Sequence, residues 1–210
     1  EADFVLSKEK PLDDGVFLYC VAKIEGLNVE KSSEDWIKKL EDSGMRAVNN
    51  ITDITNLAML EYGQPLHAFD ESQAEGIHVD RAISGLKFVT LDGKERILDD
   101  GDLLIKNKSE IIGLAGIMGG KNSEVTEETH TIVLEAAIFD PVQIRKTATR
   151  LGISSEASKR FQHGLTKSRL LQALNAAIKM YEGLGGKLTA ITLTGDFEDK
   201  EKKITLTKNK

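Results

Sequence analysis

From residue 77 to residue 138 the chain reads as one strand after another, and this run limits the fold more than any other feature. The segments are IHVDRAI, KFVTL, ERIL, DLLIK, EIIGLAGI and TIVLEAAIF, short and rich in residues that suit a pleated surface. KFVTL and ERIL meet at Asp92-Gly93, a dipeptide that fits the left-handed positions of a tight hairpin. On either side the periodicity changes. VFLYCVAKIE, residues 16–25, reads as a strand; Ser32 or Ser33 then caps a helix whose Trp36, Ile37 and Leu40 form one stripe, ended by Gly44. Thr52 or Asp53 caps a second helix carrying Ile54, Leu57, Ala58 and Glu61, stopped by Gly63 and Pro65. Beyond the strands, Asp140-Pro141 opens a helix to about Arg150. Thr166 opens a longer one, with Leu170, Leu174, Ala177, Ile178 and Tyr181 on one face as far as Gly185-Gly186, and LTAITLTG closes as a strand.

Elements from both ends thus wrap one strand-rich centre, with neither regular βαβ alternation nor an internal repeat. The expectation is one composite α+β domain of mixed, mostly antiparallel sheets, in barrel-like β-β-α layers with flanking helices. It is expected to span residues 1–200 as a fragment of a longer polypeptide. Residues 201–210, where KKITLTKNK resembles a new strand, would start the linker to a next domain.

Composition excludes several classes of function. With 40% hydrophobic and 30% charged residues and only three Pro, the chain is neither disordered nor collagenous. Cys20 is its single cysteine, which excludes an internal disulfide and a cysteine-built metal cluster. No apolar run approaches the ~18 residues of a membrane span, and a cytoplasmic location is the expectation. A net charge of −6 argues against holding nucleic acid mainly by the domain's own field. The charge is uneven, however: Arg145 to Arg169 contains seven Lys or Arg against Glu156 alone, +6 in that segment and −12 elsewhere. A solvated helical face is the ordinary explanation of such a run.

No familiar catalytic signature is present: there is no GxSxG, no P-loop and no HExxH, and His67, His78, His130 and His163 lack metal-ligand spacing. Neither a metal nor a cofactor is expected. The glycines of GLAGIMGG, residues 113–120, do not form GxGxxG; they permit either a tight turn or a close backbone approach to a ligand. Alone, a His such as His67 after a Pro-Leu turn is more often structural than catalytic. Glu135 is less ordinary. Inside the apolar strand IVLEAAIF its carboxylate must be exposed at an edge, paired, or aimed into a site, because burying it unpaired is costly.

These segments together resemble a known family. Asn49, Asn50, Asp53, Thr55, Asn56, Glu61 and the run Gly63 to Asp70 (GQPLHAFD), then GLAGIMGG, EETHTIVLEAAIFDP and RKTATRLGISSEASKRFQHG, are similar in content and order to the B3/B4 domain of the bacterial phenylalanyl-tRNA synthetase beta subunit. The resemblance implies an editing domain that hydrolyses the ester of tyrosyl-tRNA(Phe) made in error. It places His67 as the catalytic group. Asn56, Gly119, Gly120, Glu135, Ser155 and Ala157 are implied to bind substrate, with Glu135 receiving the tyrosine hydroxyl and Ser155 standing where many members have Thr. Asn49 and Asn50 are expected to serve the local backbone. The implied partners are the tRNA(Phe) acceptor end, the tyrosine moiety and, in the parent heterotetramer, the synthetase alpha subunit. ATP and Mg belong to the parent enzyme's aminoacylation site, not to this domain. Arg145, Arg150, Lys159 and Arg160 are expected to form a phosphate track, Arg160 being the one most inclined to pair with acids of the sheet instead. Two alternatives stay open: a binding or structural module that needs the rest of the synthetase for catalysis, and a free-standing relative that holds another small ligand. Weak activity of the isolated chain fits the first reading.

Overall fold

The computed structural model describes residues 13–199, the strand Phe4–Val5 and residue 205. Apart from residue 205, the expected linker at 201–210 lies outside the described residues. In chain order the elements are β1 (Phe4–Val5), β2 (Val16–Glu25), α1 (Glu34–Asp42), α2 (Asn50–Tyr62), β3 (Leu66–Asp70), β4 (His78–Arg81), β5 (Lys87–Val89), β6 (Glu95–Ile97), β7 (Leu103–Lys106), β8 (Ile111–Leu114), β9 (Met118–Gly119), β10 (Thr131–Phe139), α3 (Pro141–Leu151), α4 (Glu156–Phe161), α5 (Lys167–Gly183) and β11 (Lys187–Gly195). The expected mixed α+β class is what forms. α4 has no counterpart in the sequence reading, because at six residues it is too short to show a helical period.

The largest sheet has five strands in the order β1-β11-β2-β10-β3, with β1 parallel to β11 and the other neighbours antiparallel. A second sheet runs β4-β7-β8-β9, and β5-β6 is a separate hairpin. Among the described residues no sheet closes on itself, which corrects the barrel-like part of the expectation. The reason is strand length: the second sheet's strands are only two to four residues long, enough to cover the larger sheet but not to curl round and meet it.

Side-chain alternation along β2 and β10 divides the interior in two. Leu18, Cys20, Ala22 and Ile24 of β2, with Ile132, Leu134, Ala136 and Ile138 of β10, face the helices and pack with Ile51, Ile54 and Ala58 of α2 and Leu170, Leu174 and Ala177 of α5. Tyr19, Ala137 and Phe139 face the other way, onto Leu104, Ile105, Ile112 and Leu114 of the small sheet. Tyr181 of α5, fully buried, donates from its hydroxyl to the Ile51 carbonyl at 2.9 Å and so joins the two helices.

The amide-rich start of α2 is an anchoring network. Asn49, rather than Thr52 or Asp53, is the cap: its Oδ1 accepts from Thr52 N at 2.8 Å. Asp53 is already engaged, accepting from Ser32 Oγ at 2.6 Å and from Val48 N at 2.9 Å, which leaves Ser33 to cap α1. Asn50 accepts from Glu30 N and donates to the Asn28 carbonyl, both at 2.9 Å. Gln64, after the left-handed Gly63 that ends α2, donates to the carbonyls of Ala137 at 3.0 Å and Pro65 at 3.1 Å, fixing the entry to β3. Helix and strand are thereby tied to fixed points on either side of the site. Replacing fully buried Asp53 with Ala orphans two donors, so Asp53→Ala should cost about 3 kcal/mol. A urea midpoint that drops with an unchanged m-value would show it.

Candidate functional site

β10 is an inner strand of its sheet, flanked by β2 and β3, and nearly every residue from Ile132 to Phe139 is buried. Glu135, Ala137 and Phe139 project from the face away from the helices. Antiparallel register sets His67 of β3 opposite Glu135, and Phe69, two residues on, shares the face of His67. The two rings meet edge to face with centroids 4.3 Å apart. Across from them stand Ile105 of β7, Gly113 and Leu114 of β8, the turn from Gly116 to Gly119, and Ala157 and Phe161 of α4. Together these groups enclose about 80 Å³, with mostly apolar walls interrupted by His67 and Glu135.

Two glycines give the cavity its shape. Gly116 turns the chain with φ +66°, and a Cβ there would lie 3.0 to 3.1 Å from Phe139, Ile144 and Phe161. A Cβ on Gly119 would stand 3.0 Å from Cε1 and Nε2 of His67, so this wall is bare backbone facing the imidazole.

Glu135 is 9% exposed and forms no hydrogen bond among the described residues; its Oε1 is a buried acceptor without a donor. Of the choices open to a carboxylate in an apolar strand, it is neither at an edge nor paired, and it lines the cavity. Burial drives its carboxyl up to about 7, opposed by the nearby Tyr19 hydroxyl. Burial also holds His67 down to about 4. At neutral pH His67 is therefore an uncharged imidazole, and no ion pair joins it to Glu135. Cys20 points to the helical side and burial pushes its thiol up to about 12, so it offers the cavity no nucleophile. Among the described residues no three His, Cys, Asp or Glu come together as a metal-ligand set, and no helix is long and apolar enough to cross a membrane.

Of the residues singled out in the sequence, His67, Gly119, Glu135 and Ala157 line this one cavity. Gly120 is turned away: a Cβ there would run into Phe88, Asn122 and the Ile112 carbonyl. Ser155 supports the wall, donating from Oγ to the Ile117 carbonyl at 2.6 Å while capping α4. Asn56 sits on α2, in the helical layer on the far side of the sheet, and is not part of the cavity wall. The four basic residues separate. Arg150 bonds to nearly buried Asp102 at the start of β7 and, at 3.2 Å, to the Ile97 carbonyl. Lys159 and Arg160 both pair with Glu156 of their own helix at 2.7 Å, so it is Arg150 and not Arg160 that meets an acid at the sheet. Arg145 is exposed, with no ion pair among the described residues. Missing from the sequence reading were Phe69, Ala137, Phe139 and Phe161; the period of two in HAFD and LEAAIF would have placed the first three beside His67 and Glu135.

Residues 16–186 match the family model described as B3/4 domain. The chain belongs to this family. Among its relatives, the phenylalanine-tRNA ligase beta subunit of Protochlamydia amoebophila (strain UWE25) is 49% identical over 158 residues, covering 74% of this chain and 20% of that protein. The beta subunit of Lactococcus lactis subsp. lactis (strain IL1403) is 38% identical over 198 residues, covering 92% and 25%. The crystal structure of an N-terminal fragment of the phenylalanyl-tRNA synthetase beta-subunit from Pyrococcus horikoshii superposes with a TM-score of 0.58 at 15% identity, over 98% of this chain and 57% of that one, and so shares the fold. This B3/4 domain spans about a fifth to a quarter of the curated relatives' length.

Glu135, buried, and His67, half-buried, give the B3/4 domain two opposed pH dependences. Glu135 keeps its proton to a higher pH folded than unfolded, so its contribution is complete below about 4.5 and is lost as the pH rises to about 7. Neutral His67 contributes fully above 6.5 and loses that contribution as the pH falls to about 4. Between pH 4.5 and 6.5 the two slopes oppose each other. Glu135→Gln removes one of them. Relative to the unsubstituted domain, the variant should lose about 2 kcal/mol on acidification across that window. Denaturant midpoints at pH 6.5, 5.5 and 4.5 measure it.

Proposed function

We propose that the chain is an editing domain, which admits the aminoacyl end of tyrosyl-tRNA(Phe) made in error and hydrolyses its ester. The observation that carries this reading is Glu135, a buried carboxylate with an orphan oxygen in a cavity whose lining, His67 apart, is otherwise mostly apolar. Such a cavity takes an aromatic ring, and the carboxylate asks for a hydroxyl on it. An apolar pocket alone separates phenylalanine from tyrosine only about a hundredfold. A site that requires the hydroxyl does far better, about 10⁴, because phenylalanine leaves the buried acceptor unpaired.

Among the described residues no Ser, Thr or Cys lines the cavity, so water is the nucleophile. His67 stands beside the bare Gly119 backbone, where a neutral imidazole donates one hydrogen bond and accepts another. It holds the attacking water and opposes charge developing on the ester oxygen, without changing its own ionisation. The ribose hydroxyl next to the ester is the second proton-bearing group within reach of that water. Gly120 and Ser155 act by supporting the wall, and Asn56 is left to the tRNA end outside the cavity. Arg145, Lys159 and Arg160 supply local positive charge for the terminal phosphates. The ion pairs of Lys159 and Arg160 with Glu156 are partly exposed, each worth under about 1 kcal/mol, and give way to a phosphate readily. Arg150, bound to Asp102, is withdrawn from that track.

In the same reading the parent protein is the beta subunit of phenylalanine-tRNA ligase, which works with an alpha subunit and charges tRNA(Phe) using ATP and Mg. A binding module that relies on the rest of that subunit for catalysis is the second reading, favoured by the domain's 20% share of a relative's length. Deacylation of tyrosyl- and phenylalanyl-tRNA(Phe) by the chain alone separates the two. The editing reading expects tyrosyl-tRNA to be cleaved in preference, and the second expects tyrosine binding without cleavage. Glu135→Gln should weaken tyrosine binding at least tenfold and leave phenylalanine nearly unchanged; equal binding of both amino acids by the unsubstituted chain would sink either reading. Trp at Gly119 or Ala157 should fill the cavity and abolish hydrolysis while the fold persists, as circular dichroism would report.

A further inference from the structure

Buried hydroxyls in folded proteins almost always have a partner. Tyr181 does, in the Ile51 carbonyl at 2.9 Å. Tyr19 does not among the described residues: it is 6% exposed, and its Oη is buried without a full hydrogen bond. Phe at this position would fill the same apolar space without the cost of a desolvated hydroxyl. The group beside it explains its presence. β2 pairs Tyr19 with Ala137 and Val21 with Glu135, so Tyr19 and Glu135 are diagonal neighbours on one face of the sheet. Such neighbours have Cβ atoms about 7 Å apart, within reach of a long side chain and an aromatic one. Two orphan oxygens thus adjoin, one on a donor and one on an acceptor. Tyr19 does not itself line the cavity; it stands behind Glu135.

We infer that Tyr19 is a positioning residue for Glu135, its hydroxyl donating to one carboxylate oxygen while the other accepts from the phenol of a bound tyrosine. This inference rests on the editing reading above. In the unliganded chain the two groups stand close without closing a full hydrogen bond, and the Tyr19 hydroxyl already opposes the push of burial on the Glu135 carboxyl; a phenol in the cavity adds a second donor and favours the charged state further. Phenylalanine offers no donor, so its binding leaves the ionisation of Glu135 unaltered.

The Glu135 carboxyl is faced by few ionisable groups. From β2 there is Tyr19, since Cys20 points to the helices. From β3 there is His67, uncharged above about pH 4. The opposing wall of Ile105, Leu114, Gly119 and Ala157 contains none. Tyrosine affinity should therefore rise with pH through the ionisation of Glu135 near 7. Tyr19→Phe removes a donor to the carboxylate and should move that midpoint up by about one unit, a tenfold change in its ionisation constant.

The experiment is equilibrium binding of L-tyrosine and L-phenylalanine from pH 6 to 8.5, with the unsubstituted chain, Tyr19→Phe and Glu135→Gln. For Tyr19→Phe the expected result is tyrosine affinity about tenfold weaker at pH 6, largely recovered by pH 8.5, and unaltered phenylalanine binding. A loss equal at every pH, or no loss, overturns the positioning role while leaving the editing reading in place. Failure of the unsubstituted chain to prefer tyrosine removes the editing reading itself, and this inference with it. If Tyr19→Phe does not fold, ¹³C titration of the Glu135 carboxyl in the unsubstituted chain decides instead: saturating tyrosine must lower its midpoint, and phenylalanine must not.

Discussion

A strand covered on both faces has no solvent to absorb a charge, and β10 carries Glu135 at its middle. The rest of the structure answers to that constraint. Helices α2 and α5 cover one face and the small sheet covers the other, so alternate residues of β10 belong to two separate interiors. Ile132, Leu134, Ala136 and Ile138 contribute packing. Glu135, Ala137 and Phe139 contribute a cavity floor. The same alternation brings His67 and Phe69 of β3 to the cavity while Leu66 and Ala68 serve the helical side. Packing against the helices and the floor of the cavity thus lie on opposite faces of the same two strands.

The cavity needs more than the floor. Its opposite wall is backbone wherever His67 would otherwise be crowded, at Gly119, and α4 is held over it by the Ser155 bond to the Ile117 carbonyl. The amides that crowd the start of α2 act one layer away. Asn50 and Asp53 fix α2 to the 28–32 segment, Asn49 caps the helix, and Gln64 bonds across to the Ala137 carbonyl, so the angle at which β3 presents His67 is set by hydrogen bonds that never touch the cavity. On the proposed editing reading specificity depends on one carboxylate oxygen, and such a site requires this kind of fixed surround.

Much of this was legible in the chain, and the gaps have physical causes. β2, β10, α3 and α5 could be read because each is long enough to display a full period and is bounded by a clear cap or turn. Glu135 announced itself by chemistry, as a charge in an apolar run. The α2 cap was misplaced by three or four residues because Asn49, Thr52 and Asp53 are all competent caps, and only the tertiary demand of Ser32 and Val48 on Asp53 settles which is used. The partners of the basic segment were hidden for the same reason: Arg150 and Asp102 are distant in sequence and meet only in the fold. Tyr19 looked like any strand aromatic, since an orphan hydroxyl shows only once its surroundings are known.

The division of β10 between two interiors also decides where this domain can change length. Adding or deleting one residue in β10 upstream of Glu135 would turn every following side chain to the opposite face, putting a carboxylate among Ile54, Ala58 and Leu174 and an isoleucine into the cavity. The irregular pairing between Ile138 and Phe139, where β2 passes over Phe17, lies downstream of the carboxylate and leaves its direction untouched. Insertions are therefore confined to the hairpin tips and the connections outside the doubly covered strands, and the spacing from Leu134 through Ala137 is as much a part of the site as the residues themselves.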